Sequence, residues 1–476
     1  MSILGVYFLI FLLAVLAFFY LLPGRARPWV LLIASGVFYL TFDWRYSIFL
    51  LFSTLTVWFA ALQLPKSGPG AKKVWLVLIL AANLGVLAGV KYLPWLLKRT
   101  AGLELSWLVP VGISFYTLQL AGYLIDVYRG DAEPQRRFSR FLLFAGFFPL
   151  MLQGPISRYN QLEPQLERQE PREHAYENIT FGAQLMLWGY FKKLVIADRL
   201  AIAVNAFYGD WNSFSGAAAL IAVVGYSLQI YTDFSGCVDI CRGVGQLFGI
   251  EIIDNFERPY SAVTIQDFWR RWHKSLSSWF RDYLYIPLGG SRRGTARKYM
   301  NLLIVFLVSG LWHGVGVHFL IWGMLHGLLQ IGGAVLLPWR KKFVESLHMD
   351  WDGRLHRRIQ QGVTFCLVSL VWIFFRAPGT TAAVEVCARL LTGWNQPMSL
   401  GMLGLDWKDG IVLAAALGVL LTGSKLQNRG VRVRQAIAER ALPVRWSLYL
   451  LGFLAVLIFG IYGPGSSEAS FIYMNF

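Results

Sequence analysis

Two stretches in the second half of the chain decide how it folds: Thr264-Ile-Gln-Asp-Phe-Trp-Arg-Arg-Trp-His-Lys-Ser-Leu-Ser-Ser-Trp-Phe-Arg-Asp-Tyr283 and Leu311-Trp-His-Gly314. In the first stretch the apolar residues recur at helical spacing and form one stripe, with basic residues on the opposite face. This pattern predicts a single amphipathic helix over 264–283 that lies at a membrane surface. Thr264 and Asp267 resemble a capping box that begins the helix. His273 falls at the edge of the apolar stripe, so we expect it to be only partly buried.

The second stretch places His313 in an apolar run that begins near Tyr299 and is expected to enter the membrane. An ionisable side chain there is costly and indicates a functional site by default. The flanking Gly310 and Gly314 suit two situations equally: tight helix packing around a hydrogen-bonded core histidine, or a substrate that closely approaches the imidazole. His326 has the same glycine-flanked pattern, so the pattern alone does not choose between the two histidines.

The composition indicates an all-α polytopic membrane protein. The 476 residues are 56% hydrophobic and only 15% charged, and apolar runs of roughly membrane-spanning length recur along the chain. The first run, Ile3–Leu22, lacks a basic start and a small-residue cleavage site, so we expect a retained helix. The net charge of +17 is divided among loops that the positive-inside rule places in the cytoplasm, beside anionic membrane lipids. No basic patch is large enough to predict nucleic-acid binding.

The chain divides into three consecutive regions on hydropathy and motifs. We expect N-terminal transmembrane helices over 1–140, a catalytic core over 141–337 that contains the interfacial helix, and C-terminal transmembrane helices over 338–476. The alternation of basic loops places both the N-terminus and the aromatic tail 471–476 outside the cytoplasm.

Several charged residues interrupt the apolar runs of the core region. Four of them must pair, extend toward the membrane surface or line a wet cavity: Lys192, Lys193, Asp198 and Arg199. Asp233 and Asp239 lie close to the membrane, and we expect them to satisfy the backbone of a broken helix or to pair with a nearby arginine, with direct catalysis as the alternative.

No metal site is predicted from the cysteines and histidines. Cys237 and Cys241 share a helical face, but no third ligand lies near them in sequence, which favours buried free thiols. His313 and His318 are five residues apart, about 140° around a helix, and this angle does not suit a shared metal.

The two histidines of the opening stretches suit acyl transfer. Burial would keep His313 neutral and able to remove a proton from an alcohol that attacks an acyl thioester. His273 would then orient the thioester, donate to the developing oxyanion or protonate the leaving thiolate. A transporter or lipid-linked-sugar flippase is the alternative class, in which the buried charges line a pathway and His313 relays protons.

Six motifs, in order, resemble those of the membrane-bound O-acyltransferase (MBOAT) family, in its bacterial polysaccharide-acetylating branch. They cover about Phe141 to Gly327 and read Gln153-Gly-Pro-Ile-Ser-Arg-Tyr159, Phe191-Lys-Lys-Leu-Val-Ile-Ala-Asp-Arg199, Tyr231-Thr-Asp-Phe-Ser-Gly236, Phe268-Trp-Arg-Arg-Trp-His273, Arg281-Asp-Tyr-Leu-Tyr-Ile-Pro-Leu-Gly-Gly290 and Leu311-Trp-His-Gly314. The resemblance implies a ring of transmembrane helices, with re-entrant and interfacial helices, around a central tunnel.

The resemblance also implies residue roles. The invariant catalytic histidine of the family matches His313, and its upstream partner matches His273. Residues expected to support the tunnel are Asp233, Ser235, Asp239, Trp312, Arg281 and Asp282. No bound cofactor is expected; the co-substrate would be an acyl thioester, either acetyl-CoA or an acyl-carrier protein.

The aromatic tail resembles the Phe-x-Tyr-x-x-Phe ends of bacterial acyl-export systems, with Phe471, Tyr473 and Phe476 in the matching positions. We expect Tyr473 to accept the acyl group as a relay and the two phenylalanines to bind the tail. The predicted function is a bacterial inner-membrane O-acyltransferase that passes acetyl groups toward an exported polysaccharide, with a periplasmic SGNH-type esterase-like transferase as partner. D-alanyl transfer to teichoic acid is the alternative within the family.

Overall fold

The computed structural model describes residues 1–103, 109–167 and 174–462. Within these ranges the regular structure is helical, as the composition predicts. The helices of the first half are α1 Val6–Leu21, α2 Arg27–Leu40, α3 Tyr46–Gln63, α4 Pro69–Ala101, α5 Ile113–Arg129, α6 Phe138–Ala145, α7 Tyr159–Glu167, α8 Ala175–Tyr190, α9 Asp198–Gly209 and α10 Gly216–Leu247. Those of the second half are α11 Ile265–Arg271, α12 Lys274–Phe280, α13 Thr295–His313, α14 Val317–Val335, α15 Leu337–Ser346, α16 Arg354–Arg376, α17 Thr380–Leu391, α18 Trp407–Asn428, α19 Val433–Ala438 and α20 Leu442–Phe459. Two π-helical segments, Phe191–Ala197 and Arg281–Tyr285, follow α8 and α12.

Seven helices of the described residues are long and apolar enough to cross a membrane: α3, α4, α10, α14, α16, α18 and α20. A helix needs about 20 apolar residues to span the hydrocarbon core. The apolar side chains of α18 and α20 are almost all on the outside, since only 6% and 0% of their spanning windows are buried. Apolar residues that face outward along a whole helix are typical of contact with lipid, and the chain is a multi-pass membrane protein.

The chain forms two compact units, each made of two sequence segments. The first comprises Met1–Met186 and Cys237–Asp254. In it α3 packs against α4, α5 and α6, and α2 packs against α1 and α6. Its core is strongly aromatic, with Phe38, Phe141, Phe144 and Phe148 essentially without exposed surface.

The second unit comprises Leu187–Gly236 and Asn255–Phe476. Its centre is the antiparallel pair α13 and α14, against which α11 and α16 pack. The first π-helical segment packs against α18 and α20. Both candidate catalytic histidines, His273 and His313, belong to this unit.

The expected single helix over 264–283 is wrong. The chain leaves the helix at Trp272, and His273 adopts a left-handed conformation with φ 45° and ψ 53° before α12 begins. The amide N–H groups of Lys274 and Ser275 donate to Asn255, at 3.0 and 2.9 Å, so tertiary hydrogen bonds replace those of a continuous helix. The expected partial exposure of His273 is also wrong, because its side chain is completely buried.

The predicted helix start at Thr264 is confirmed, since its hydroxyl accepts a hydrogen bond from the Asp267 amide at 3.0 Å. In contrast, the expected helix break around Asp233 is wrong. Helix α10 continues without interruption from Gly216 to Leu247, because Asp233 pairs with a lysine instead of serving free backbone groups. The tail residues Phe471, Tyr473 and Phe476 lie outside the described residues.

Candidate active site

The break between α11 and α12 positions His273. Asn255, itself fully buried, accepts hydrogen bonds from the backbone of Lys274 and Ser275 and so holds the two residues that follow His273. Phe234 packs edge-on against the His273 ring, with 4.9 Å between ring centroids. A non-glycine residue in the left-handed region costs of order 1–3 kcal/mol and persists only where its surroundings enforce it. The fold therefore holds His273 in one position.

The amide of Asn255 also sets which nitrogen of His273 carries the proton. Its Oδ1 accepts from the Ser275 backbone at 2.9 Å, which leaves Nδ2 as the group facing His273 Nδ1 at 3.3 Å. An amide Nδ2 only donates, so His273 Nδ1 is the acceptor. Burial disfavours the charged ring, and a neutral ring with an accepting Nδ1 carries its proton on Nε2. His273 thus offers an N–H donor at Nε2.

His313 has the opposite arrangement. It is the last residue of α13, is 2% exposed, and its Nδ1 lies 2.7 Å from the backbone oxygen of Ser309 one turn earlier. A carbonyl oxygen only accepts, so Nδ1 must carry the proton and Nε2 keeps its lone pair. His313 therefore offers a base at Nε2.

The two imidazoles are neighbours. Their ring centroids are 6.5 Å apart and the ring planes are nearly perpendicular, at 84°. Trp312 packs near both, with its ring centroid 4.8 Å from that of His313 and 6.1 Å from that of His273. A proton acceptor and a proton donor at this separation suit a reaction in which one group loses a proton while a nearby oxygen gains negative charge.

The wall behind His313 is built by the close approach of α13 and α14. A Cβ added to Gly310 would collide with the backbone oxygen of Phe319, and one added to Gly323 would collide with that of Phe306. This approach brings Trp322 against His313, with ring centroids 4.8 Å apart, and α16 adds Phe375 at 5.5 Å. The imidazole is thus enclosed by aromatic rings that restrict its rotation.

His326, the competing histidine, lies in a different environment. It is fully buried, and Trp322 stands next to it, with ring centroids 5.1 Å apart, as it does next to His313. The Trp269 indole donates to His326 Nδ1 at 3.3 Å. This hydrogen bond occupies the lone pair that a base would use. The structure therefore favours His313 over His326 as the base, although the two histidines share one sequence pattern.

The charges that interrupt the apolar run after α8 are paired with one another, as required for buried ions. Lys193 Nζ lies 2.6 Å from Asp233 Oδ1 and 2.8 Å from Asp198 Oδ1, and Lys192 Nζ donates to Ser235 Oγ at 2.9 Å. All five side chains are buried. Phe234, which touches His273, lies between Asp233 and Ser235 in sequence, so this cluster fixes the part of α10 that supports the histidine.

The remaining predicted site residues lie elsewhere. Arg281 and Asp282 bond to each other at 2.8 Å, and the Arg281 side chain is 64% exposed, which places this pair at the surface. Asp239 belongs to the first unit and lies 3.4 Å from Arg242. Within the described ranges, no three side chains of the types that ligate metals come together.

Sequence patterns did not reveal three residues of the site. Asn255 lies 18 positions before His273 and has no motif of its own, so only the folded chain shows its role. Ser309 acts through its backbone oxygen, which any residue would supply. Trp322 lies in an apolar run where a tryptophan is ordinary. A spacing of four between Ser309 and His313 on a predicted helix was the one signal available.

Comparison with known proteins adds the family. Residues 135–351 match the model of the membrane-bound O-acyltransferase family. A protein of Pseudomonas syringae pv. tomato named "Probable alginate O-acetylase AlgI" is 37% identical over 444 residues, which is 89% of this chain and 82% of the relative. The peptidoglycan O-acetyltransferase of Helicobacter pylori is 35% identical over 400 residues, 76% of this chain and 73% of the relative.

A more distant similarity is to the teichoic acid D-alanyltransferase of Bacillus subtilis, 28% identical over 249 residues, 49% of this chain and 61% of that protein. The acetyltransferase relatives thus cover a much larger share of the chain at higher identity. The polytopic helical fold, the ordered motifs and these matches agree, and the chain belongs to the membrane-bound O-acyltransferase family.

Proposed function

We propose that this O-acyltransferase moves acetyl groups from a cytoplasmic thioester toward an exported polysaccharide, with His313 and His273 as its catalytic pair. The observation that carries the proposal is the complementary hydrogen bonding of the two buried rings. Ser309 leaves His313 Nε2 as a base, and Asn255 leaves His273 Nε2–H as a donor. The acetylase and acetyltransferase names of relatives that match three quarters or more of this chain support acetyl as the acyl group.

The proposed chemistry uses each ring once. His313 Nε2 takes the proton of the acceptor hydroxyl as its oxygen attacks the thioester carbonyl carbon. The Nε2–H of His273 donates to the oxyanion that develops on the carbonyl oxygen. When the C–S bond breaks, the leaving thiolate takes the proton from His313, so the products are an ester and a free thiol. Enclosure by Trp312, Trp322 and Phe375 keeps water from competing with the acceptor.

Further parts of the proposal concern delivery. The donor is acetyl-CoA or an acetylated carrier protein in the cytoplasm of a bacterium, whose inner membrane this chain spans with both termini outside. Tyr473 is the relay that receives the acyl group on its phenol, held by Phe471 and Phe476, and an esterase-like transferase outside the membrane takes it onward. D-alanyl transfer has less support, because the D-alanyltransferase relative covers only half of this chain.

The test is thiol release from radiolabelled acetyl-CoA by the purified full chain. We expect His313→Ala to lower the rate by at least about 10³-fold, since it removes the base. His326→Ala is the matched control, because it removes an equally buried histidine of α14 that is not placed in the reaction. Label on the protein that Tyr473→Phe abolishes supports the relay. Undiminished release by His313→Ala would sink the proposed roles.

A further inference from the structure

A cavity of about 350 Å³ opens in the first unit, and its lining includes neither His273 nor His313. Its charged lining comes from the loop before α2, the start of α6 and the length of α7: Arg25, Arg137, Arg140, Glu163 and Glu167. The volume lies in the range of small-molecule sites, about 300–1,000 Å³. The reaction described above uses none of these residues.

The two carboxylates of the cavity are already engaged. Glu167 forms an ion pair with Arg140, and Glu163 accepts a hydrogen bond from Gln135 Nε2 at 2.7 Å. Burial, with the nearby charge of Glu167, raises the pKa of Glu163 above its ordinary value. The carboxylates therefore offer little negative charge to a ligand.

Two of the arginines that line the cavity have no carboxylate partner among the described residues. Across the described ranges, no carboxylate forms an ion pair with Arg25 or Arg137, and both residues line the cavity. Guanidinium groups match phosphate oxygens through paired hydrogen bonds. The basic part of the lining thus favours a phosphate group.

The rest of the lining is largely apolar. It includes Leu32, Leu143 and Leu166 together with Trp29, which is 56% exposed at the start of α2. Tryptophan is enriched where a membrane meets water. A ligand that carries phosphate at one end and an apolar body at the other is an amphiphile, and basic pockets between membrane helices commonly hold anionic headgroups.

We propose that this cavity binds the phosphate of an anionic phospholipid, with Arg25 and Arg137 contacting the headgroup and Trp29 the start of the acyl chains. The shared chemistry is a phosphate group, and a soluble phosphate compound is the other source of it. The phospholipid is favoured because inorganic phosphate would leave the apolar lining residues without a partner. This inference is independent of the proposed acyl transfer.

The test is native mass spectrometry of the purified full chain in detergent, titrated separately with phosphatidylglycerol, phosphatidylethanolamine, inorganic phosphate and coenzyme A. We compare wild type with Arg25→Gln/Arg137→Gln. The control is Arg357→Gln/Arg358→Gln, which removes the same charge from two exposed positions on α16. Arg25→Lys/Arg137→Lys keeps the charge and tests whether the guanidinium shape matters.

We expect one tightly held phosphatidylglycerol on wild type and about 30-fold weaker binding to the double glutamine variant, the combined effect of two basic groups near a lipid surface. The control should change affinity less than about twofold, and the lysine variant should keep most of it. Phosphatidylethanolamine should bind more weakly than phosphatidylglycerol.

Two results would overturn the proposal. If the control variant lost as much affinity for phosphatidylglycerol as the double glutamine variant, the loss would be an effect of net charge and not of this cavity. Binding of phosphate or coenzyme A that depends on Arg25 and Arg137, without dependence for the lipid, would overturn the phospholipid and leave a soluble phosphate compound as the ligand. Because the substituted arginines are exposed, we expect all variants to fold, and gel filtration checks this.

Discussion

Asn255 is the residue whose replacement best tests whether His273 takes part in catalysis or is only packed in the core. It contacts His273 Nδ1 through Nδ2 and holds the following backbone through Oδ1. In Asn255→Asp the second atom facing the ring becomes a carboxylate oxygen, which accepts and does not donate. The proton of His273 would then move to Nδ1, and Nε2 would lose its role as a donor to the oxyanion.

We therefore expect Asn255→Asp to lower kcat by about 10²-fold, the effect of removing one oxyanion donor. KM for the thioester should change little, because the shape of the site is kept. The loss should shrink as the pH falls, since the added carboxylate favours the charged ring, in which Nε2 again carries a proton. Steady-state kinetics of the purified chain measure this. A variant with normal kcat would show that Asn255 only supports the turn; Asn255→Ala, which also loses the backbone bonds, should lose stability as well as rate.

At the scale of single elements, the close approach of α13 and α14 can be tested by comparing two glycines of α14, Gly323 and Gly332. In Gly323→Ala the new methyl meets the backbone of α13, which cannot move aside as a flexible side chain would. In Gly332→Ala the methyl meets nothing within 4 Å. Overpacking costs about 1–3 kcal/mol, whereas alanine in an exposed helix position is about 0.5–1 kcal/mol better than glycine.

We expect Gly323→Ala to lower both the melting temperature and the rate of thiol release, because it pushes α13 and its terminal His313 out of place. Gly332→Ala should leave the rate unchanged and raise the melting temperature slightly. Thermal unfolding in detergent and the thiol assay separate the two outcomes. Equal behaviour of the two variants would mean that the helix contact does not position His313.

The π-helical segment after α8 supplies a second prediction at this scale. Lys193 neutralises two buried carboxylates, so Lys193→Met leaves Asp198 and Asp233 without their partner. Breaking a buried ion pair from one side costs about 3–5 kcal/mol. Replacing both aspartates by asparagine in the same chain should recover much of this loss in unfolding experiments. Lys73→Met, at an exposed position, is the control and should be close to neutral.

The sequence predicts helices well where one local rule decides them, and fails where tertiary hydrogen bonds replace those of a local helix. Apolar runs gave the membrane helices, because a bilayer leaves the backbone no alternative to helical hydrogen bonds. The stripe over 264–283 suggested one helix, but Asn255, distant in sequence, takes over the hydrogen bonds of Lys274 and Ser275. Likewise, a break in α10 was expected at Asp233, but Lys193 from another segment pairs with this carboxylate and the helix continues.

The site shows the same division. His313 was predicted from the cost of an ionisable side chain in a membrane and from the family motif. His273 was predicted from its place in the amphipathic stretch and from the family motif. Their proton positions were not predictable, because each depends on a partner that no pattern identifies: the Ser309 carbonyl and the Asn255 amide. His326 has the same flanking glycines as His313, but its Nδ1 accepts a hydrogen bond from the Trp269 indole, whereas Nδ1 of His313 lies against the Ser309 carbonyl.

At the scale of the whole molecule, the proposed transfer requires one orientation in the membrane. In the proposal the donor thioester is cytoplasmic and the polysaccharide is outside, so Tyr473 can relay an acyl group only if the tail is external. The charge distribution predicts this, because the loop that carries Lys66, Lys72 and Lys73 is basic and should remain in the cytoplasm.

Single-cysteine labelling in intact cells tests this orientation with a maleimide that does not cross membranes. Cysteines introduced as Ser470→Cys in the tail and Ser67→Cys in the basic loop are compared in a chain whose four native cysteines are replaced by serine: Cys237, Cys241, Cys366 and Cys387. We expect Ser470→Cys to react in intact cells and Ser67→Cys to react only after permeabilisation, since moving basic loops across the membrane is unfavourable. The reverse pattern would leave Tyr473 on the side of the donor, where it could carry nothing outward. The acceptor hydroxyl would then have to reach His313 directly from outside the cell. This result would exclude Tyr473 as a relay but would not exclude His313 and His273 as the catalytic pair.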